Sequence, residues 1–384
     1  MKILHWYPNF LGGGGVANAV LGLAKAQCEL GAEVIIASAE ALKSPLYQFM
    51  DRNLGKVQLF KWKPTKIFHI GSLIWRILPK STKKELISLQ PDIVHIHGEF
   101  NPDNLWVPRF FKVPLILSPH GAFHPIVLRK SKKWQKKLYI ELAKRLVYKF
   151  VKTFHALCPA EAEHICSALG NVNVYTVPQG YNPFISLKTK LPNKDNQKDI
   201  KFIFVGRLDI YTKGLDILIE AFAEVVRKFP NKKLSLILVG PDWRGSMEVL
   251  KQFAIQKGCF EYIIFTGSLP ALKVAELVMD ADFYIQLSRH EGFPLSIAEA
   301  LLLGKPAILA DTIGTVSYKN IRTLPFVRVI SPKQDEAVKA MEEFIQRKNE
   351  LKAAVQRYRE EIIYFFDWHR IAKEHLKQYE RIIS

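Results

Sequence analysis

Asp282-Phe-Tyr-Ile-Gln-Leu-Ser288, followed after Arg289 and His290 by Glu291-Gly-Phe-Pro-Leu-Ser-Ile-Ala-Glu299, is the stretch on which the reading of this chain turns. Its first part reads as a short buried strand, and an apolar helix running to Gly304 follows. A helix that begins near Pro294 exposes the unpaired backbone N–H groups of residues 292 to 296, which can hold an anion. Glu291 and Glu299 bracket that position. Carboxylates do not bind phosphate, so the pair suits hydroxyl groups on either side of one: a sugar at Glu291 and a ribose at Glu299. Taken alone, the two glutamates read more simply as a loop charge and a solvated helix residue. What tips the balance is the rest of the second half.

Ile200-Lys-Phe-Ile-Phe-Val205 is a second short apolar run, followed by Gly206-Arg207-Leu208-Asp209, then Lys213-Gly214 and a helical pattern from Leu215 to Lys228. Such a strand delivers two cations to the C-terminal edge of a sheet, where open α/β folds bind ligands. Arg207 can fork onto a diphosphate and Lys213 can act as a point charge. With the two glutamates they outline a site for a nucleotide-diphosphate sugar.

The chain resembles the retaining glycosyltransferases of the GT-B fold, in the family 4-like group that includes bacterial polysaccharide and lipid glycosyltransferases. The residues that carry the resemblance are Gly12 to Gly15, Ser118-Pro-His120-Gly121, Gly206-Arg207 with Lys213-Gly214, and Glu291 with Glu299. They span nearly the whole chain in the family's order. The resemblance implies two Rossmann-like doubly wound domains facing a cleft, and transfer of a hexose from a nucleotide-diphosphate sugar to a glycan or lipid-linked saccharide, as in polysaccharide biosynthesis. It implies catalytic roles for His120, Arg207, Lys213 and Glu291, with His120 at the transferred sugar. It places Gly13, Gly14, Gly206, Gly292, Phe293, Pro294, Leu295 and Glu299 around the donor. No cofactor and no metal are expected, because protein cations stand where a metal would. Pro294 departs from the glycine often found at that position. The loop after Asp311, with Thr315-Val-Ser-Tyr-Lys-Asn320, lacks an acidic residue often found there.

Length and patterning agree. A chain of 384 residues is expected to form two or three domains, and a hydrophobic content of 48% suffices for two cores. Strands are expected at 3–7, 33–39, 92–97, 113–117, 153–157 and 174–177, with a helix over Val16–Leu30. This rhythm predicts a parallel doubly wound sheet. The polar segment 187–199 then separates an acceptor-side domain, 1–186, from a donor domain, 200–366, with strands near 201–205, 234–239, 262–265, 282–287, 307–310 and 326–330. The aromatic break Tyr364-Phe-Phe-Asp-Trp-His369 resembles the bend at which the last helix, about 367–384, packs back on the first domain.

Gly12–Gly15 follows the first strand as dinucleotide loops do. It lacks the G-x-G-x-x-G arrangement, and no acidic residue ends the second strand, which disfavours a dehydrogenase. Four glycines also suit a plain flexible turn. His120 follows a strand and precedes Gly121, at a sheet's C-terminal edge. His5, His95, His97 and His124 are weaker candidates. His95 and His97 share a strand face as a metal pair would, but nothing at recognisable spacing beyond Glu99 completes a site. The cysteines, Cys28, Cys158, Cys166 and Cys259, have no CxxC spacing and read as reduced core residues.

The net charge of +19 calls for a partner or a surface. Motifs for nucleic-acid binding are absent from the sequence. The densest basic segment is 129–152, where Trp134, Leu138, Leu142, Leu146 and Phe150 recur every four residues among Lys and Arg. It reads either as an amphipathic helix suited to an anionic membrane face or as a core helix with a basic back. No stretch is long enough to span a bilayer, and Pro8 follows too soon for a signal peptide. A cytoplasmic location is expected, with 129–152 the candidate for peripheral contact at the inner face of the plasma membrane. Two other readings share the donor site: an epimerase of the same fold, and a nucleotide-sugar-binding protein without turnover.

Overall fold

The computed structural model describes residues 1–40, 54–70, 73–129, 133–181 and 199–384. The chain divides into two units, Met1–Pro183 with Phe366–Ser384, and Phe184–Phe365. The expected linker, 187–199, lies outside the described residues except for Asp199, which opens a strand.

The first unit is built on seven parallel strands. In chain order they are β1 (Lys2–Trp6), β2 (Glu33–Ala39), β3 (Gln58–Trp62), β6 (Ile93–His97), β7 (Leu115–Ser118), β8 (Val151–Ala156) and β9 (Val174–Thr176). Their spatial order is β3-β2-β1-β6-β7-β8-β9. An antiparallel hairpin, β4 (Lys66–Ile70) and β5 (Leu73–Ile77), stands apart from this sheet. The period of two along each strand divides the sheet's faces. Leu4 and Trp6, Val94 and Ile96, Leu115 and Leu117, and Phe154 and Ala156 enter one apolar core, where Trp6 stacks on Trp62 with centroids 4.9 Å apart. The alternate positions bring His5, His95, His97, Ser118 and His155 to the other face.

The second unit has six parallel strands: β10 (Asp199–Val205), β11 (Lys233–Val239), β12 (Ile263–Gly267), β13 (Phe283–Gln286), β14 (Ala307–Ala310) and β15 (Val327–Ile330). Their order is β12-β11-β10-β13-β14-β15. These runs are apolar because helices cover both faces. The helix Leu215–Lys228 packs against Gln334–Gln346, and Phe283 meets both Phe202 and Phe344 at 5.3 Å. In both units the strand order reverses beside the first strand, between β1 and β6 and between β10 and β13. That switch point is where open α/β sheets admit ligands.

Two expectations are corrected here and one open alternative is settled. The segment 129–152 is not one helix: Pro125–Arg129 and Lys133–Leu146 are helical, Tyr148–Phe150 forms a 3-10 turn, and Val151 already pairs with Leu115. Strand pairing takes the end of the segment from the helical pattern. The stripe is also not the packed face. Tyr139, Ala143 and Val147, also four apart, are buried, whereas Trp134 is 66% and Leu138 62% exposed. Among the cysteines, Cys158 and Cys259 are buried, but Cys166 is exposed, one step around its helix from the buried Ile165. No helix among the described residues is long and apolar enough to cross a membrane.

The last helix belongs to the first unit. Asp367 ends Arg359–Phe366 and caps Trp368–Ile383, its Oδ1 accepting from the Arg370 N–H at 2.7 Å. Trp368 then enters between Gly22 of the helix Gly15–Glu29 and Gly180, and its indole N–H donates to the Tyr181 carbonyl at 2.9 Å. A Cβ at either glycine would be driven into the indole ring. Gly22→Ala is therefore expected to destabilise the protein by about 1–3 kcal/mol through overpacking. Thermal unfolding followed by circular dichroism measures it, and an unchanged midpoint would contradict this seat for Trp368.

Candidate active site

The second unit assembles the predicted residues at the ends of β10 and β13. After β10, Gly206 and Arg207 leave the sheet, and Asp209 caps the short helix Ile210–Lys213 by accepting from the Thr212 N–H at 3.1 Å. Gly214 ends that helix with φ +64° and ψ +34°, a left-handed turn, and the next helix starts at Leu215. The tight turn lays Lys213 against the loop after β13. Its ammonium forms an ion pair with the Glu291 carboxylate, and both side chains are largely buried. Burial, with Arg207 nearby, lowers the Lys213 pKa to about 8 against the opposing effect of Asp209. The Glu291 carboxylate also favours the charged form, so Lys213 is an ammonium at neutral pH.

Arg207 is more open. Its guanidinium lies 3.6 Å from Asp209 Oδ2 and stacks at 3.9 Å over Trp243, which follows β11. The β13 loop is tied down from the other side. Arg289 forks onto Asp216 with bonds of 2.8 and 2.7 Å, and its backbone N–H donates to the Thr212 carbonyl at 3.0 Å. Within β13, Tyr284 donates to Gln286 Oε1 at 2.6 Å and lies 2.9 Å from Ser296 Oγ, fixing the start of the helix Leu295–Leu302.

At that helix the reading is corrected in detail. Pro294 is the N-cap rather than a first-turn residue, so its missing N–H removes none of the helix donors. Ile297 N–H turns back to the Pro294 carbonyl at 3.3 Å, which leaves Leu295 and Ser296 as the forward donors. Gly292, Pro294 and Leu295 are part-exposed. The Phe293 ring is buried, 6.3 Å from Tyr318, so only its backbone can face a ligand. Glu299 is buried in the body of the helix rather than solvated.

The first unit holds the glycine loop and the histidines. Phe10–Gly12 is a 3-10 turn, Gly13 and Gly14 have φ of +72° and +95°, and the helix begins at Gly15. The positive angles show what the glycines are for. His120, after β7, is itself left-handed at φ +53° and half-buried. His97 Nδ1 is 3.2 Å from His120 Nε2, His97 Nε2 is 2.8 Å from His5 Nδ1, and His95 sits beside them. Burial lowers the pKa of each, to about 4 for His5 and about 3 for His120, so the rings are neutral. His5, His95 and His97 each place one ring nitrogen within 4.8 Å of the others. Glu99 is not in that group. His124 instead packs on His164 at 4.7 Å.

Sequence reasoning missed the Arg207–Trp243 stack, the Arg289–Asp216 fork and the joining of His5 to the histidine group. Arg289 and Asp216 are 73 residues apart, and no local spacing links them. For His5 a signal existed: it occupies the same position on β1 that His95 occupies on β6, and the two strands pair in that register.

Two parallel α/β units, each with loops at its switch point, are the architecture of the GT-B fold. Residues 13–183 match the model of Glycosyltransferase Family 4, and residues 188–361 match that of Glycosyl transferases group 1. The chain belongs to the family 4-like glycosyltransferases. An alpha-monoglucosyldiacylglycerol synthase of Acholeplasma laidlawii is 24% identical over 77% of this chain and 76% of its own length. A GDP-mannose:cellobiosyl-diphosphopolyprenol alpha-mannosyltransferase of Xanthomonas campestris is 21% identical over 100% and 98%. Among solved structures, Anabaena HepE in complex with UDP and glucose superposes with a TM-score of 0.75 at 17% identity, covering 99% of both chains.

The turn at Gly214 can be tested directly. A Cβ there would collide with the Leu287 carbonyl oxygen of the β13 loop, a backbone atom that cannot step aside, whereas one at Gly245, with φ +81°, meets nothing within 4 Å. Gly245→Ala is expected to cost about 1 kcal/mol, the left-handed penalty alone. Gly214→Ala should cost about 3 kcal/mol or more. Urea unfolding of the two variants checks the difference; equal losses would show that the β13 loop does not press on Gly214.

Proposed function

We propose that this enzyme transfers a hexose from a nucleotide-diphosphate sugar to a saccharide or lipid-linked saccharide, with retention at the anomeric carbon and without a metal. The observation that carries the reading is the Lys213–Glu291 contact beside Arg207, at the switch point of the second unit and in front of the helix Leu295–Leu302. Departure of a nucleoside diphosphate requires stabilisation of its charge. Arg207 and Lys213 supply two cations for it, and the N–H groups of Leu295 and Ser296 add neutral donors. Gly206 and Gly292 are assigned to the donor by resemblance to the family. When phosphate engages Lys213, Glu291 is freed to accept hydrogen bonds from sugar hydroxyls, and Glu299 is assigned to the ribose. No enzyme nucleophile is invoked: the acceptor attacks from the face the phosphate leaves, and the phosphate takes its proton. His120 is assigned to the transferred sugar, and Gly13 and Gly14 to the loop opposite the diphosphate, by resemblance to the family. The HepE complex with UDP and glucose supports a nucleotide-sugar donor. The names of the Acholeplasma and Xanthomonas relatives support an acceptor attached to a lipid.

Arg207→Ala should lower turnover about a hundredfold or more in a folded protein. Turnover of the wild type should survive EDTA. The assay follows nucleoside diphosphate release and the glycosylated product from UDP-, GDP-, ADP- and dTDP-sugars. Near-normal turnover in Arg207→Ala would remove the clamp, and loss on chelation restored by manganese or magnesium would remove the metal-free mechanism. An altered sugar nucleotide without any product on an acceptor would identify an epimerase, and binding without release would identify a non-catalytic binder.

We also propose that the helix Lys133–Leu146 docks on an anionic bilayer. Trp134, Leu138 and Leu142 are exposed along one line, with Lys137 and Arg145 exposed beside them. An aromatic and aliphatic stripe flanked by cations matches an anionic interface, where each Lys or Arg adds about 1 kcal/mol. The protein is expected to co-sediment with vesicles containing phosphatidylglycerol, less so at raised salt. It should be released when Lys132, Lys133, Lys136 and Lys137 are changed to Glu. Wild-type protein that ignores these vesicles at low salt would point to a soluble acceptor.

A further inference from the structure

Behind His120 a single line of hydrogen bonds crosses the first unit, and its far end is a group that can only accept. His155 Nε2 lies 2.8 Å from the Val177 carbonyl oxygen. That nitrogen must carry a hydrogen, and in a neutral ring Nδ1 is then bare. Ser118 Oγ, 2.6 Å from His155 Nδ1, therefore donates its one proton there. The serine oxygen can then only accept from His95 Nε2, also at 2.6 Å. His95 Nδ1 is bare in turn and takes the Tyr379 hydroxyl proton at 2.6 Å. The Gln27 amide nitrogen faces the Tyr379 oxygen at 3.4 Å, and in that orientation its Oε1 is turned to His5. Gln27 Oε1 consequently accepts from His5 Nε2 at 2.7 Å, and His5 Nδ1 accepts from His97 Nε2 at 2.8 Å. His97 Nδ1 accepts from His120 Nε2 at 3.2 Å. Each step leaves one assignment, and every one of the five rings carries its hydrogen on Nε2.

We propose that this chain, anchored at the Val177 carbonyl, fixes the tautomer of His120, so that His120 meets its ligand through a bare Nδ1 that accepts a hydrogen bond from a hydroxyl group. Among the described residues His120 Nδ1 has no hydrogen-bond partner of its own. The chain requires neutral rings, and burial lowers the pKa of all five. The inference rests on the proposed function where it takes the hydroxyl to be one of the transferred sugar. His97, His5, Gln27, Tyr379, His95, Ser118 and His155 are then positioning residues. Gln27 is also a stop: an amide does not pass protons on readily, so the chain orients His120 and is not a route for carrying protons away.

The same atoms argue against a metal at His5, His95 and His97. Both ring nitrogens of all three are engaged in the chain, and a metal would need one bare nitrogen from each aimed at a common point.

The test is long-range proton–nitrogen correlation NMR at pH 7 on full-length protein labelled with nitrogen-15 histidine, assigned by single His→Gln variants. The expected result is that His5, His95, His97, His120 and His155 all appear as neutral Nε2–H rings. His120 or His97 appearing as the Nδ1–H form or as an imidazolium would overturn the inference, as would zinc binding that shifts His5, His95 and His97 together. Tyr379→Phe keeps the ring and removes the link to the anchor. It should leave His120 as a mixture of tautomers and lower kcat about tenfold or more. A pure Nε2–H signal for His120 in that variant would show that the chain does not set it. A donor sugar with fluorine in place of the contacted hydroxyl should turn over no differently in wild type and Tyr379→Phe. The spectra do not depend on activity: expected tautomers in a protein that turns over no sugar nucleotide would sink the function alone, and turnover with His120 as Nδ1–H would sink the inference alone.

Discussion

A parallel strand covered by helices on both faces can present a side chain to a ligand only where it ends. That constraint organises this protein. In each unit the strand order turns around beside the first strand, and the loops that leave the two strands at the turn diverge to opposite faces and open a crevice. Gly206 and Arg207 leave β10, and Arg289 to Glu291 leave β13. The glycines before Gly15 leave β1, and the turn at His120 follows β7. His120 follows Ser118, a fully buried strand residue, by two positions, whereas Arg207, Lys213 and Glu291 stand on loop or short-helix segments beyond the strand ends.

Holding the loops themselves takes further bonds. The β13 loop has no helix or strand of its own and is held from two sides: Arg289 grips Asp216 and the Thr212 carbonyl and Gly214 fits under the Leu287 carbonyl, while the Gly314 N–H donates to the Glu291 carbonyl at 2.9 Å and the Thr312 hydroxyl to the Ser288 carbonyl at 2.6 Å. Glu291 is thus positioned by two loops, one of which carries Lys213. Arg207 is held differently, by stacking on Trp243. A stacked guanidinium keeps its donors directed outward in its own plane, where phosphate oxygens can reach them.

The strands and the switch-point motifs are legible in the sequence because both depend on short-range pattern. Apolar runs bounded by glycine place β10 and β13 to within a residue or two, and the cations and carboxylates at their ends follow from sequence order. What escapes is whatever depends on which residues meet across the fold. β3 and the β4–β5 hairpin come from a stretch whose alternation is irregular, Gln58–Trp62 and Lys66–Ile77. The stripe through Trp134 is visible, but its neighbour through Tyr139 has the same spacing, and pattern alone does not say which of two apolar lines meets a core. Phe293 reads as facing a donor because it sits in the motif, and its ring is committed to Tyr318 instead. The aromatic break before Trp368 is recognisable as a bend, but the two glycines that receive the indole lie more than 150 residues apart in the chain.

That seat has a bearing on how the protein is made. The first unit consists of Met1–Pro183 and Phe366–Ser384, with the whole of the second unit between them in sequence. Synthesis proceeds from the N-terminus and domains fold as they emerge. The sheet bearing His5, His95, His97 and His120 is therefore complete long before Trp368 and Tyr379 exist. Throughout that interval the groove beside Gly22 and Gly180 stands open, and the imidazoles beneath it lack Tyr379. Seating of Trp368 and Tyr379 is therefore a late step in folding, made only once the last helix is present.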